Sequence, residues 1–347
     1  MVASNPQSKS KSNSSSGSGS KADSKLAQFP ISLFGAIMGF SGLTLGFTEA
    51  SEIFGITPLF HQGLTVLTTV FFCLISIVYL MKLIKYPCAV WQEFNDPVAL
   101  HFFPTFSVSL VLLSLLYQEI APQIASILWH TGAAIQFALL LYIMNSWIHN
   151  EKWHITHMNP AWFIPVVGNI LIPLGAPTFS SIELGWFFFS IGLIFWLILN
   201  SIVMYRLFFH PPLLKILEPT LFILIAPPAI GFASYMALTD LQILDNIARV
   251  LYYIALFLTI LLLTQFRRFI KIPFALSWWA YTFPLGAITV ASFMMYDLLL
   301  FSLFAYLALF FLLLLSLLVT MLTVKTLIAI KNGTLAGKSN PPQSPDG

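Results

Sequence analysis

The sequence has very little charge for its length. Only 8% of its 347 residues are charged, whereas 58% are hydrophobic. A soluble domain carries about 25% charged residues, so this chain lacks the polar groups needed to cover a folded surface of its size. The composition therefore excludes a soluble enzyme, a secreted disulfide scaffold and a disordered protein, and it predicts a protein of the lipid bilayer.

Cysteine and catalytic motifs are also scarce. The two cysteines, Cys73 and Cys88, lie within or just after an apolar run. They form no disulfide framework or zinc signature and are interpreted as small apolar side chains. The sequence contains no nucleophile elbow, zinc-protease helix, P-loop or dinucleotide fingerprint in a usable context. The net charge of +3 is too small to indicate nucleic acid. We therefore predict no catalytic residue, metal or cofactor.

Ten continuously apolar runs fill the chain between two polar tails. Tails 1–28 and 331–347 have few large apolar side chains and are expected to be disordered and cytoplasmic. A bilayer-spanning helix needs about 20 apolar residues, and the runs lack the alternation of a membrane barrel. We predict an all-α membrane domain over 29–330 with ten helices. The runs are 30–48, 61–86, 98–117, 121–146, 160–177, 181–208, 218–238, 243–266, 274–294 and 298–328.

The basic residues predict the topology. With ten spans, 15 of the 16 Lys and Arg residues fall on the side that carries both termini, and only Arg249 falls on the other. An excess of Lys and Arg marks the cytoplasmic face. The sequence thus predicts a multi-pass protein of the cell membrane with both termini in the cytoplasm.

Every odd-numbered run contains proline, whereas the even-numbered runs contain none in their interiors. These prolines recur at intervals of about 60 residues, which indicates five repeated helical hairpins. A proline removes a backbone hydrogen bond, and freed backbone groups are tolerated in a membrane only beside protein or water. The odd helices should then be kinked and surround a central pathway, with the even helices facing lipid. The candidate kink and pore-lining residues are Pro30, Gly39, Phe103, Pro104, Pro165, Pro227, Pro228 and Pro284.

Few polar side chains are candidates for chemistry inside the membrane. Nearly every Asp and Glu falls at the end of a run, which argues against a proton relay and for passive conduction. Of the polar residues closer to buried positions, His101, His130 and Glu183 are interpreted as interfacial or packing residues. A histidine cluster in a predicted loop, His149, His154 and His157, leaves open a multi-spanning enzyme as an alternative.

Several phenylalanines directly precede the prolines. Phe29, Phe103 and Phe283 each stand one residue before a proline of an odd run. A bulky apolar ring beside an inward-facing kink can close a pore, since hydrophobic constrictions gate by dewetting.

Motifs at the start of the odd runs resemble those of a known family. They are Phe29-Pro30-Ile31-Ser32, Asp96-Pro97-Val98, Val166-Val167-Gly168-Asn169, Ala226-Pro227-Pro228 and Trp278-Trp279-Ala280-Tyr281-Thr282-Phe283-Pro284. The set is similar to the bacterial tellurite-resistance (TehA) and plant slow anion channel family, which includes malate and sulfite transporters. The resemblance implies five quasi-symmetric hairpins around an anion pore, a homotrimer with one pore per subunit, and occlusion of the pore by Phe283.

The sequence leaves the origin of anion preference open. A carbonyl freed by a proline would favour cations, so anions need N–H groups at helix N-termini or basic residues at the mouth, such as Arg267 and Arg268. We expect a passive, gated channel for small inorganic anions such as chloride and nitrate. The alternative is a coupled carrier or exporter of sulfite, malate or tellurite-type oxyanions.

Overall fold

The computed structural model describes residues 25–239 and 244–332, and all regular elements in these ranges are helical. The predicted tails therefore lie mostly outside the described residues. The α-helices are α1 (Phe34–Phe54), α2 (Leu59–Lys85), α3 (Pro87–Asn95), α4 (Pro104–Tyr117), α5 (Pro122–His149), α6 (Ile164–Leu171), α7 (Ala176–Phe179), α8 (Ile182–Phe209), α9 (Ala226–Thr239), α10 (Asn246–Thr264), α11 (Phe266–Phe269), α12 (Thr282–Leu299) and α13 (Ser302–Asn332).

The predicted all-α membrane architecture is confirmed. Within the described ranges, nine helices are long and apolar enough to cross a membrane. The remaining predicted span, the fifth, is the shorter apolar helix Pro160–Leu174. Its α-helical part is brief because 3₁₀ turns flank it at Pro160–Phe163 and Ile172–Leu174. A count of ten full crossings remains a prediction.

Five inner segments form a closed ring. They are Ile31–Phe54, Ala99–Tyr117, Pro160–Leu174, Glu218–Thr239 and Leu276–Leu299, called the first to fifth inner segments below. Each packs against the next, and the fifth packs against the first. The four long inner segments are 61–83% buried, whereas the five even-numbered spans are 11–39% buried. The odd helices therefore lie inside, as the prolines predicted.

The outer layer consists of α2, α5, α8, α10 and α13. Each packs against the inner segment that precedes it in the chain, so the molecule is a ring of five helical pairs. The outer helices expose many large apolar side chains, such as those of Ile84, Phe208 and Tyr306, as a surface in contact with lipid requires. Descent of the five pairs from one repeated hairpin remains a prediction.

The prolines lie at the start of the inner α-helices rather than in their middles. Each inner segment begins with a 3₁₀ turn, and Pro104, Pro165, Pro227 and Pro284 lie in the first turn of the α-helix that follows. Pro30 precedes the 3₁₀ turn of the first segment. These four prolines therefore lie where a 3₁₀ turn changes to an α-helix within the membrane segment, in first-turn positions whose N–H makes no bond inside the α-helix.

Candidate pore and its entrance

A cavity of about 1190 Å³ lies within the ring at the end where the inner segments begin. All five inner segments line it. In each inner segment we identify the cavity-lining residue nearest to the C-terminal end of that segment. From the first to the fifth segment these residues are Met38, Val108, Leu171, Ile230 and Pro284. Its walls are mostly apolar, with aliphatic and aromatic side chains together with alanine, proline and glycine.

The carbonyl groups that the prolines leave without an α-helical donor are not free. In three inner segments, the residue just before the proline donates its N–H to the carbonyl four residues before the proline. This i to i+3 bond is the reason for the 3₁₀ turns. It also engages the oxygens of these three carbonyls, which weakens their attraction for cations. The donor and acceptor pairs are Phe103 and Leu100, Ile164 and Ala161, and Ala226 and Ile223.

Side-chain oxygens cap the first three inner segments at the cavity entrance. Glu93 Oε1 accepts from Ile31 N–H at 2.7 Å. Asp96 Oδ1 accepts from the N–H groups of Val98 and Ala99, both at 2.8 Å. In the third segment, Asn159 Oδ1 accepts from Ala161 N–H at 3.0 Å. The fifth segment begins after Ala275 without a side-chain cap.

Glu93 belongs to a buried polar clamp. Its Oε2 accepts from Lys82 Nζ at 2.6 Å and from the Tyr79 hydroxyl at 3.1 Å. Lys82 also donates to the Phe29 carbonyl at 2.7 Å and is only 2% exposed. The clamp therefore holds the backbone on both sides of Pro30 against α2 and α3, and it neutralises the carboxylate that lines the cavity.

Phe283 lies where the cavity ends. Its side chain lines the cavity and is buried, and its ring approaches Gly42 of α1. Just beyond it, a Cβ atom built on Gly286 would lie 2.8 Å from the Gly42 Cα atom. α1 and α12 are thus in backbone contact behind the Phe283 ring.

The structure separates the other predicted pore residues into two groups. Pro30 and Pro284 line the cavity together with Phe283. Gly39 instead lets α1 approach Thr282, and Phe103 packs its ring on Phe94 at a centroid distance of 4.8 Å. The predicted residues that do not line the cavity are Gly39, Phe103, Pro104, Pro165, Pro227 and Pro228.

The two predicted mouth arginines do not line the cavity. Arg268 makes a bidentate ion pair with Glu218, with distances of 2.9 and 2.8 Å from its Nε and NH2 atoms. This contact raises the pKa of the Arg268 guanidinium above its usual value, chiefly through the hydrogen bond to Glu218. Lys215 lines the cavity instead. The sequence contained it only as one of many basic residues on the predicted cytoplasmic side.

Sequence reasoning also missed the environment of His101. This side chain is fully buried, and its ring stacks on Trp162 at a centroid distance of 4.4 Å. Trp147 and Trp153 complete the aromatic cluster, and Trp147 Nε1 donates to His101 Nε2 at 3.2 Å. No local pattern could have revealed the cluster, because His101 lies 46 residues before the first of the three tryptophans.

The histidine loop does not form a compact site. His149 and His154 are exposed, and the His154 and His157 rings lie 5.4 Å apart. Within the described ranges, no three His, Cys, Asp or Glu residues are arranged to hold a metal ion.

A closed ring of kinked, buried helices around an apolar cavity defines a multi-pass membrane protein of the channel or transporter class. The chain belongs to the SLAC1 family, described as voltage-dependent anion channels, whose model matches residues 28–327. The resemblance inferred from the motifs is therefore confirmed.

Named relatives come from plants, archaea and bacteria. The chain is 31% identical to the S-type anion channel SLAH2 of Arabidopsis thaliana over 78% of its own length and 53% of the relative's. It is 25% identical to an uncharacterized transporter of Methanocaldococcus jannaschii, over 90% and 98% of the two chains. It is 22% identical to the tellurite resistance protein TehA homolog of Haemophilus influenzae, over 77% and 81%. The match thus spans about half of the plant protein and nearly all of the archaeal one.

Proposed function

We propose that this protein is a passive, gated anion channel whose conduction path runs through the ring of inner segments and is closed by Phe283. The observation that carries the proposal is the position of this ring, where the cavity ends and α1 contacts α12. An apolar ring at such a constriction closes a path by excluding water. The plant relatives named as anion channels support the choice of anions as the transported species.

The cavity supports anions over cations. In three inner segments the carbonyl freed by a proline accepts a 3₁₀ hydrogen bond, and the Glu93 carboxylate is neutralised by Lys82. The inner segments point their N-termini, the positive ends of their helix dipoles, at the cavity. We propose chloride and nitrate as substrates, since a mostly apolar wall without a fixed deep charge suits weakly held monovalent ions.

The proposal extends to the assembly and its orientation. We propose a homotrimer in the cell membrane, with one conduction path in each subunit and both termini in the cytoplasm. The cavity then opens to the cytoplasm, because the basic side of the chain is the side where the inner segments begin. Cross-linking in native membranes and labelling of single cysteines from each side test these two points.

The test of the gate is chloride and nitrate flux into liposomes that contain the purified protein. Phe283→Ala should raise the flux about tenfold or more over the unsubstituted protein, since a hydrophobic constriction is removed. Phe103→Ala is the matched control, because it also precedes a proline but packs on Phe94 away from the cavity. Equal flux from the two variants would overturn the gate assignment.

The same liposomes separate a channel from a coupled carrier. A channel lets anions move down their own gradient whatever the pH difference across the membrane. Sulfite or malate uptake that requires an imposed proton gradient would instead support the carrier alternative. Anion currents that persist at equal pH on both sides would support the channel.

A further inference from the structure

We infer that Lys215 and Ser277 form an entrance site for small inorganic anions at the wide end of the cavity, an inference that rests on the proposed function. Both residues line the cavity. Lys215 lies three residues before the fourth inner segment, and Ser277 lies in the first turn of the fifth. These two segments pack against each other, so the residues belong to the same side of the mouth.

Lys215 supplies the positive charge of this site. It is the one Lys or Arg among the cavity-lining residues of the described chain, and its side chain is exposed. Within residues 25–239 and 244–332, its ammonium makes no ion pair. An exposed cation at the mouth of a low-dielectric cavity concentrates anions there.

The nearby carboxylates are already engaged. Glu218, one turn from Lys215, receives two hydrogen bonds from Arg268. Glu93 is paired with Lys82. Asp96 accepts hydrogen bonds at Oδ1 from two backbone N–H groups. It lies three residues before the second inner segment, and the third segment separates the second from the fourth around the ring. Glu218 is near enough to Lys215 to interact with it electrostatically, but its two oxygens are bound by Arg268, so in the described part of the chain Lys215 remains the cation without an ion pair at the mouth.

Ser277 supplies the directional contact. Ser277 is a cavity-lining residue, and its Oγ atom is buried without a hydrogen-bond partner among the described residues. A buried hydroxyl without a hydrogen-bond partner destabilises the folded protein, so binding of a group that accepts its hydrogen bond is favoured. A partly dehydrated chloride or nitrate ion beside Lys215 would accept that hydrogen bond. The Ser277 hydroxyl would then take the place of a water molecule lost from the hydration shell of the anion. The site thus combines a mobile cation, which attracts anions, with a fixed hydroxyl, which orients them.

The experiment is single-channel recording in the Phe283→Ala background, so that conduction is measurable. Lys215→Ala should lower chloride conductance about threefold in ~0.05 M salt, and the difference should nearly vanish in ~1 M salt, because salt screens an exposed charge. Lys215→Arg should keep the conductance. Arg267→Ala is the matched control, since Arg267 is exposed on the same side but does not line the cavity.

Ser277 is tested by selectivity rather than by conductance in low salt. Ser277→Ala should change the nitrate to chloride permeability ratio about twofold or more, because the lost hydrogen bond orients the two anions to different extents. Ser277→Thr, which keeps the hydroxyl, should retain the ratio. The entrance site is refuted if Phe283→Ala conducts anions while Lys215→Ala behaves like Arg267→Ala, or if Ser277→Ala leaves the ratio unchanged. Absence of anion conduction in Phe283→Ala itself would overturn the proposed function instead.

Discussion

Gly42 of α1 and Gly286 of α12 are in backbone contact directly behind the ring of Phe283. A Cβ atom on Gly286 would lie 2.8 Å from the Gly42 Cα atom, closer than real Cβ contacts allow. The neighbouring atom is backbone and cannot turn aside. The contact therefore fixes the separation of the two inner helices at the level where the cavity ends, and it positions the side chain proposed as the gate.

Gly286→Ala should both destabilise the protein and increase its basal anion flux. The added methyl group forces α1 and α12 apart, at a cost of about 1–3 kcal/mol for overpacking. Because α12 carries Phe283, the same displacement loosens the closure. Thermal unfolding in detergent and chloride flux in liposomes measure the two effects.

Gly35→Ala is the control for this prediction. Gly35 also lies on α1 and lines the cavity, but a Cβ atom there would meet only Trp279 Cβ at 4.0 Å, an ordinary contact. It should leave both stability and flux nearly unchanged. If Gly286→Ala behaved in the same way, the helix contact would not set the closure.

Gln136 should contribute strongly to stability although it belongs to an outer helix. It is fully buried in α5, where its Nε2 donates to the Pro165 carbonyl at 2.7 Å and its Oε1 accepts from the Ser107 hydroxyl at 2.7 Å. Gln136→Leu removes both hydrogen bonds. The Ser107 hydroxyl keeps its bond to the Pro104 carbonyl, and the Pro165 carbonyl keeps its bond from Asn169, so we expect a loss of about 1–2 kcal/mol.

The matched control is Gln118→Leu, which removes a hydrogen bond to Thr178 at the exposed end of α4. Its effect on thermal unfolding should be within about 0.5 kcal/mol. A Gln136→Leu protein as stable as Gln118→Leu would show that the buried amide does not hold the third inner segment in place.

Arg268→Ala should destabilise the protein through Glu218 rather than through its own lost contacts. Glu218 keeps only 8% of its side chain exposed, whereas the Arg268 side chain is 54% exposed. Removing the arginine leaves a buried carboxylate without a partner, for an expected cost of about 1–2 kcal/mol after solvent screening of the exposed side.

Two further variants make this prediction specific. Arg268→Lys should restore only part of the stability, because an ammonium cannot reproduce the two parallel bonds. Glu218→Gln combined with Arg268→Ala should be more stable than Arg268→Ala alone in thermal unfolding. A double variant less stable than Arg268→Ala would mean that the lost charge pair is not the cause.

Asp245 should make a pH-dependent contribution to stability. It begins α10, accepting the Ala248 N–H at 2.8 Å and the Tyr235 hydroxyl at 2.6 Å. The Tyr235 hydrogen bond, followed by the backbone bonds, holds the pKa of Asp245 below its usual value. A depressed pKa stabilises the fold above the unfolded pKa of about 3.9, and this contribution is lost as the pH falls through the folded pKa.

The comparison is with Asp245→Asn, which keeps a cap for α10 but cannot ionise. Its melting temperature should lie about 2 °C or more below that of the unsubstituted protein at neutral pH. The gap should shrink once the pH falls below the folded pKa, because both side chains are then neutral. A gap that stays constant across this range would contradict the assignment.

Much of the architecture could be predicted because it depends on composition and periodicity. The predicted and observed spans agree to within a few residues, from 98–117 against Ala99–Tyr117 to 298–328 against Ser302–Asn332. The restriction of prolines to alternate spans also predicted which helices are buried. Both features follow from a local rule, namely that a bilayer tolerates altered backbone only where protein or water covers it.

The site was predicted less completely, for a physical reason that Arg268 and Lys215 illustrate. Both are basic residues at the predicted cytoplasmic ends of spans, and nothing local distinguishes them. In the structure Arg268 is engaged by Glu218, 50 residues away, whereas Lys215 lines the cavity. The partner of a charge is set by the packing of separate segments, which span patterns do not contain.

The sequence by itself determined that this protein belongs in a membrane, which helices lie inside, and which family it belongs to, because hydrophobic runs and prolines act over a few turns of chain. Only the tertiary structure decided which carbonyl groups are free, which charges are neutralised and which residues line the cavity. Phe283 illustrates both parts. Its motif made it a candidate gate, but its position at the end of the cavity depends on the contact between α1 and α12, whose sequences lie more than 200 residues apart.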